Sequence, residues 1–178
     1  MQQQEGSFVE LILKVIIPKF TSFIIIWTQI LMTLMIGATT LFRYVFHIDL
    51  YGAEEFVLIF SFWLYMMGAA YGSFEGSHIK ADILEEYIKN EKLKLRIQFF
   101  VSLISTVMCL VLNYWAFNYF VWGIVKHARS IAWKIPMVIP QSSLLIGFTI
   151  MSVYSCVNSY RIFHSLIAMK SSTMKLNK

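Results

Sequence analysis

Two adjacent carboxylates, Glu54 and Glu55, stand directly before nineteen residues without a charge, Phe56 to Phe74. Such a pair could do chemistry if a catalytic partner stood near it. It could also complement the positive end of a helix dipole, or pair with a basic group such as Arg43 or one on a partner subunit. Four histidines offer a second possibility: His47 and His127 fall on one side of the apolar runs, His78 and His164 on the other. Two imidazoles on one side could clamp a haem iron. All four, however, lie at or beyond the ends of the runs, where headgroup contacts and capping are their ordinary use. The two cysteines, Cys109 and Cys156, each fall inside an apolar run. Thiol–disulfide exchange linked to a quinone needs paired thiols at the outer face, and these are not so placed. Ser142, Ser143 and Ser152 have no visible base for an intramembrane hydrolase. A transporter acting alone would carry an ionisable group in mid-span. None is present here, and Gln29, Asn113 and Asn118 are expected to tie helices together. The chain is therefore not expected to be an enzyme, and the residues call for no cofactor or metal; a haem- or quinone-binding redox protein remains the alternative.

The elements that position these residues follow from composition. Of 178 residues 58% are hydrophobic and only 14% charged, with mean hydropathy +0.64. A soluble domain carries about 25% charged residues. The deficit is concentrated in long runs, so the chain reads as one membrane domain over 1–178, with no room for a separate catalytic domain. The first residues lack a basic n-region, so the first span is expected to act as its own anchor. The net charge of +5 sits in the connections, without the stacking aromatics of a nucleic-acid surface.

The chain reads as an all-α integral membrane protein with four transmembrane helices and interfacial amphipathic helices. Residues 8–18 carry apolar positions at helical spacing and predict a short interfacial helix that Pro18 ends or bends. Spans are predicted at about 20–42, 54–75, 96–122 and 140–163, because charge-free runs of this length cross a hydrocarbon core. Amphipathic helices are predicted over 78–90 and 123–135. In the second of these, Ile124, Ala128, Ile131 and Ile135 oppose Lys126 and Arg129. Gly68 and Gly72 in the second span make a small-xxx-small pattern that lets a neighbouring helix approach. With the N-terminus inside, eleven Lys and Arg lie on the cytoplasmic side and four outside. The positive-inside rule then places both termini in the cytoplasm, Glu54 and Glu55 at the outer boundary and His78 at the inner one.

Several pieces, in order and spacing, carry a family resemblance. They are Arg43-Tyr44-Val45-Phe46 after span one, Glu54-Glu55 opening span two, Trp63 within it, and Gly68-Ala69. His78-Ile79-Lys80-Ala81-Asp82 follows, then Ser130 to Pro136 and Gly147. The chain resembles the small membrane subunit, DctQ/SiaQ type, of tripartite ATP-independent periplasmic (TRAP) transporters. It departs from the pattern in Tyr51-Gly52-Ala53, where many relatives have Trp before the glutamates, and in Trp133-Lys134. The resemblance implies a subunit of the bacterial inner membrane that scaffolds a large transport subunit and helps dock a periplasmic substrate-binding protein. Sodium-driven uptake of an organic acid, of the sialic acid or C4-dicarboxylate class, follows from it, with the sodium sites in the large subunit. It also implies that Arg43, Glu54, Glu55, Trp63, Gly68, Gly72 and His78 serve structure or a subunit interface. Lys126, Arg129 and Lys134 would face lipid headgroups or the binding protein.

Overall fold

The computed structural model describes residues 12–75 and 91–176. Four helices are long and apolar enough to cross a membrane. We label them α1 (Ile17–Val45), α2 (Ala53–Glu75), α3 (Glu91–Val125) and α4 (Val138–Leu176). Each contains one of the predicted spans. All four are longer than those spans, because a charged side chain ends an apolar run without ending the backbone hydrogen bonding.

The interfacial pieces depart from expectation. A π-helical turn over Ile12–Ile16 runs straight into α1, and Pro18 sits in the first turn of that helix. A first-turn proline loses no intrahelical hydrogen bond, so Pro18 starts the span and does not close a separate helix over 8–18. Residues 8–11, the expected helix over 78–90 and His78 lie outside the described residues. The expected amphipathic helix over 123–135 is not formed. α3 stops at Val125, and the chain makes a tight hairpin instead, with an antiparallel bridge between Arg129 and Pro136. His127 and Lys134 both take positive φ, 48° and 53°, which a helix does not allow.

The helices pack as a row. α1 lies on α2, α2 on α4, and α4 on α3; other pairs of spans touch only marginally among the described residues. The row is thus two helical hairpins, α1–α2 and α3–α4, joined through their inner members. Few side chains are enclosed. Met67 and Ala70 of α2, Met151 of α4 and Ala116 of α3 are buried, alongside more polar than apolar companions: Thr21, Ser102, Thr106, Gln141, Ser143 and Ser152. In hydrocarbon, packing and hydrogen bonds hold helices together, because lipid tails remove the hydrophobic advantage of burial.

Each contact shows this logic. Along α3–α4, Thr106 shares a 2.9 Å hydrogen bond with the Ser155 hydroxyl. Asn158 Nδ2 donates to Ser102 Oγ at 3.4 Å, and Thr149 Oγ1 donates to Asn113 Oδ1 at 3.1 Å. Asn113 therefore ties helices as its residue type predicted. Gln29 does not: its amide donates to Thr33 on its own helix, at 3.2 Å. Between α2 and α4 the fit depends on Gly147. A Cβ there would stand 3.0 Å from the Cβ and Cε of Met66 and 3.2 Å from its backbone oxygen. Phe74 and Tyr154 close the other end of that contact, with ring centroids 5.8 Å apart.

Gly147→Leu is expected to wedge α4 off α2 and to lower stability by about 1–3 kcal/mol, the usual cost of overpacking a tight contact. Thermal unfolding in detergent checks this. Gly37→Leu, at a glycine with nothing within 4 Å, should leave the melting temperature unchanged.

Candidate functional site

The described residues converge at the end of the row where the α1–α2 connection meets the hairpin between α3 and α4. The α1–α2 connection is shaped by backbone. His47, at φ 58°, turns the chain so that the Ile48 N–H reaches Phe42 O at 3.1 Å. Ala53 N–H then donates to Leu50 O, and Glu55 N–H to Gly52 O, which opens α2 with both glutamates in its first turn. Gly52 takes φ +81°, a conformation that costs side-chain-bearing residues.

The other side is the hairpin. Met137 N–H donates to Ala128 O and Ser130 N–H to Ile135 O, both at 2.9 Å. Those two bonds frame a four-residue tip, Ile131 to Lys134. The tip presents its backbone to Glu55. Ala132 N–H donates to Glu55 Oε1 at 2.7 Å and Trp133 N–H to Oε2 at 3.0 Å. Two successive N–H groups on one carboxylate form a small anion-holding concavity. The bonds are charge-assisted and so stronger than neutral ones. The indole of Trp133 adds a third tie, donating from Nε1 to Tyr51 O at 3.1 Å, and its ring meets Phe56 edge-on with centroids 5.9 Å apart. Gly52 lies directly below. A Cβ on it would fall 2.5 Å from Trp133 Nε1 and 2.6 Å from the Ala132 Cβ. Ser130 Oγ is buried beside the clamp, next to the carboxylate that the two backbone N–H groups hold.

The expected site residues separate here. Within this chain Glu55 pairs not with Arg43 but with the backbone of the α3–α4 hairpin. Arg43 faces Asp49 instead, Nε to Oδ1 at 3.5 Å, with both side chains exposed. Glu54 points outward and is exposed. Trp63 is half-buried within α2. Gly68 has nothing within 4 Å, so the described residues do not supply the close neighbour its small size predicts. Gly72 is half-buried on α2. Lys126, Arg129 and Lys134 are all exposed on or beside the hairpin, and the described structure gives none of them an ion pair. His47 and His127 lie in connections at this end, while His164 is exposed on α4.

The Ala132 and Trp133 N–H groups engage both oxygens of the carboxylate. The arrangement fixes a rigid, basic, partly apolar tip in place. Sequence reasoning missed the hairpin and the roles of Gly52, Ala132 and Trp133. The acceptor's partners are backbone N–H groups, which no residue type announces. Gly52 before the glutamates and Pro136 after the tip were the available signals.

The family profile described as the DctQ component of tripartite ATP-independent periplasmic transporters matches residues 32–165, more than half of the chain. The chain belongs to the DctQ family. It is therefore a small membrane component of a TRAP transporter, a multi-pass protein of a transporter family and not of an enzyme family. No curated protein matches the sequence. In this DctQ component the matched span runs from the middle of α1 into α4 and includes the whole clamp.

Glu55→Ala is expected to speed hydrogen exchange at the Ala132 and Trp133 amides, while Glu54→Ala leaves both unchanged. Gly52→Ala should act in the same direction as Glu55→Ala, since the left-handed backbone alone costs about 1–2 kcal/mol with a Cβ. Exchange measured by mass spectrometry on peptides covering the hairpin decides the matter; equal protection in Glu55→Ala would show that the carboxylate does not hold the tip.

Proposed function

We propose that this DctQ component is a non-transporting scaffold that braces the large transport subunit and helps dock a periplasmic substrate-binding protein. The carrying observation is the clamp. It holds a hairpin whose exposed groups are Lys126, Arg129, Lys134 and an apolar tip residue, Ile131, at 91% exposure. Basic side chains without ion pairs on a rigid turn suit an acidic face on a soluble partner, and such complementarity acts mainly on encounter and orientation.

In this reading the clamp end faces the periplasm, both termini lie in the cytoplasm, and the membrane is the bacterial inner membrane. The excess of Lys and Arg on the opposite side supports that orientation. The charge-free runs of the four spans contain no ionisable residue with which to carry a solute or a coupling ion. Substrate and sodium sites then belong to the large subunit, and the cargo is an organic acid of the sialic acid or C4-dicarboxylate class. Arg43 and Glu54 add to the polar rim of the docking end, next to Asp49. Gly68 and Gly72 shape an α2 face toward the large subunit, and Trp63 lies on the other side of that helix.

The test is reconstitution in liposomes with a sodium gradient. Large and small subunits together, with binding protein, are expected to take up the acid; this chain alone is expected to move none. Charge reversal at Lys126, Arg129 and Lys134 should raise the binding-protein concentration needed for half-maximal uptake by about tenfold at low salt, less at high salt. Uptake by this chain alone would overturn the scaffold reading. An unchanged requirement after charge reversal would overturn docking at the hairpin.

A further inference from the structure

The row has two broad sides, and they differ in chemistry. On α1, Phe23, Trp27, Leu34 and Leu41 recur at helical spacing and are all exposed. That is a surface made for lipid. Elsewhere on the same helix, Gln29, Thr33 and Thr40 recur at helical spacing and are also exposed. Successive residues turn about 100° around a helix, so the polar stripe and the bulky stripe lie on different sides, with the α2 contact between them.

Gln29 is deep. It is nine residues from Phe20 and thirteen from Phe42, the ends of the charge-free run. At 1.5 Å per residue this puts it roughly 14 Å and 20 Å from those ends, near the middle of a hydrocarbon core about 30 Å thick. Its Nε2 spends one N–H on Thr33, and Thr33 in turn donates to the Gln29 backbone oxygen at 2.9 Å. The side-chain oxygen and the second N–H of Gln29 make no hydrogen bond within the described residues.

A second such group stands beside it on α2. Tyr65 is nine residues from each end of its charge-free run, Phe56–Phe74, and is 68% exposed. Its hydroxyl has no hydrogen-bond partner within the described residues. The Ser61 hydroxyl, 3.7 Å from Met32 Sδ, sets the register of the antiparallel pair. Gln29 is three residues before Met32 and Tyr65 four after Ser61, so both lie about one turn toward the same end. Their angular offsets from this contact, about 60° and 40°, carry them to the same side of the pair, because antiparallel helices turn in opposite senses. Gly37 and Gly68, each with nothing within 4 Å, leave open backbone on these two helices.

A free amide and a free phenol at mid-depth cost several kcal/mol if hydrocarbon covers them. Neither side chain is long enough to reach headgroups from there. We propose that the Gln29–Tyr65 side of α1–α2 is the seat of a transmembrane helix of the large transporter subunit, one that presents a hydrogen-bonding side chain at mid-membrane. This rests on the scaffold reading above and adds which surface does the bracing. Among the described residues no span is left to cover this side: α4 packs on α2, and α3 packs on α4.

The test uses the intact complex in membranes. A photoreactive amino acid placed at Gln29 or Tyr65 is expected to yield an adduct with the large subunit, and one placed at Leu34 an adduct with lipid only. In parallel, Gln29→Leu combined with Tyr65→Phe should lower recovery of the large subunit about tenfold, as expected for two interhelical hydrogen bonds. Both residues are exposed, so the chain's own fold should stand, and insertion at wild-type level verifies it. If the large subunit co-purifies with the wild type but Gln29 and Tyr65 cross-link only to lipid or to a second copy of this chain, the assignment of this side is wrong and the scaffold reading survives. If no large subunit co-purifies with the wild type, both fall.

Discussion

The carboxylate of Glu55 is the constraint on which the arrangement of the chain turns. It joins two connections that are 77 and 78 residues apart in sequence through bonds to the backbone of Ala132 and Trp133. The Trp133 indole on Tyr51 O and its ring against Phe56 add to this tie, and otherwise the α1–α2 and α3–α4 hairpins meet along α2 and α4. That contact combines the close approach of Gly147 to Met66 with the Phe74–Tyr154 ring pair at its other end. A charge-assisted pair of hydrogen bonds at the end of the row supplies a further restraint, at a depth where water and headgroups lessen the cost of a carboxylate.

The same constraint explains why a membrane protein with little interior can be orderly. A closed four-helix bundle buries a continuous core. A row encloses few residues, and among the enclosed polar ones Thr106 and Ser102 bond across helices, to Ser155 and Asn158. Order then comes from directional bonds and close backbone contact. The two broad sides remain available, one lined by Trp27 and Leu34 for lipid, the other by Gln29 and Tyr65. A subunit built this way has broad surfaces to offer, which agrees with membership of a transporter component family.

The four spans were legible in the sequence, because a charge-free run long enough for hydrocarbon has few other uses. The family was legible from the order of short pieces around Arg43, Glu54-Glu55 and Gly147. The site was legible only in part. The glutamates marked the right place, but residue type does not separate Glu54, which faces out, from Glu55, which holds the hairpin. Ile124, Ala128, Ile131 and Ile135 recur as in a helix, yet Pro136 and the left-handed turns at His127 and Lys134 make a hairpin. Periodicity reports side chains, and the deciding partners here are backbone N–H groups.

The central claim is that Glu55 locks the two helical hairpins together at this end. Spin labels on Tyr44 and Lys126, exposed residues on either side of the clamp, measure it directly by pulsed dipolar spectroscopy. The wild type should give one narrow distance distribution, and Glu55→Ala a broadened or shifted one. An equally narrow, unshifted distribution in Glu55→Ala would contradict this, since the carboxylate would then not set the arrangement.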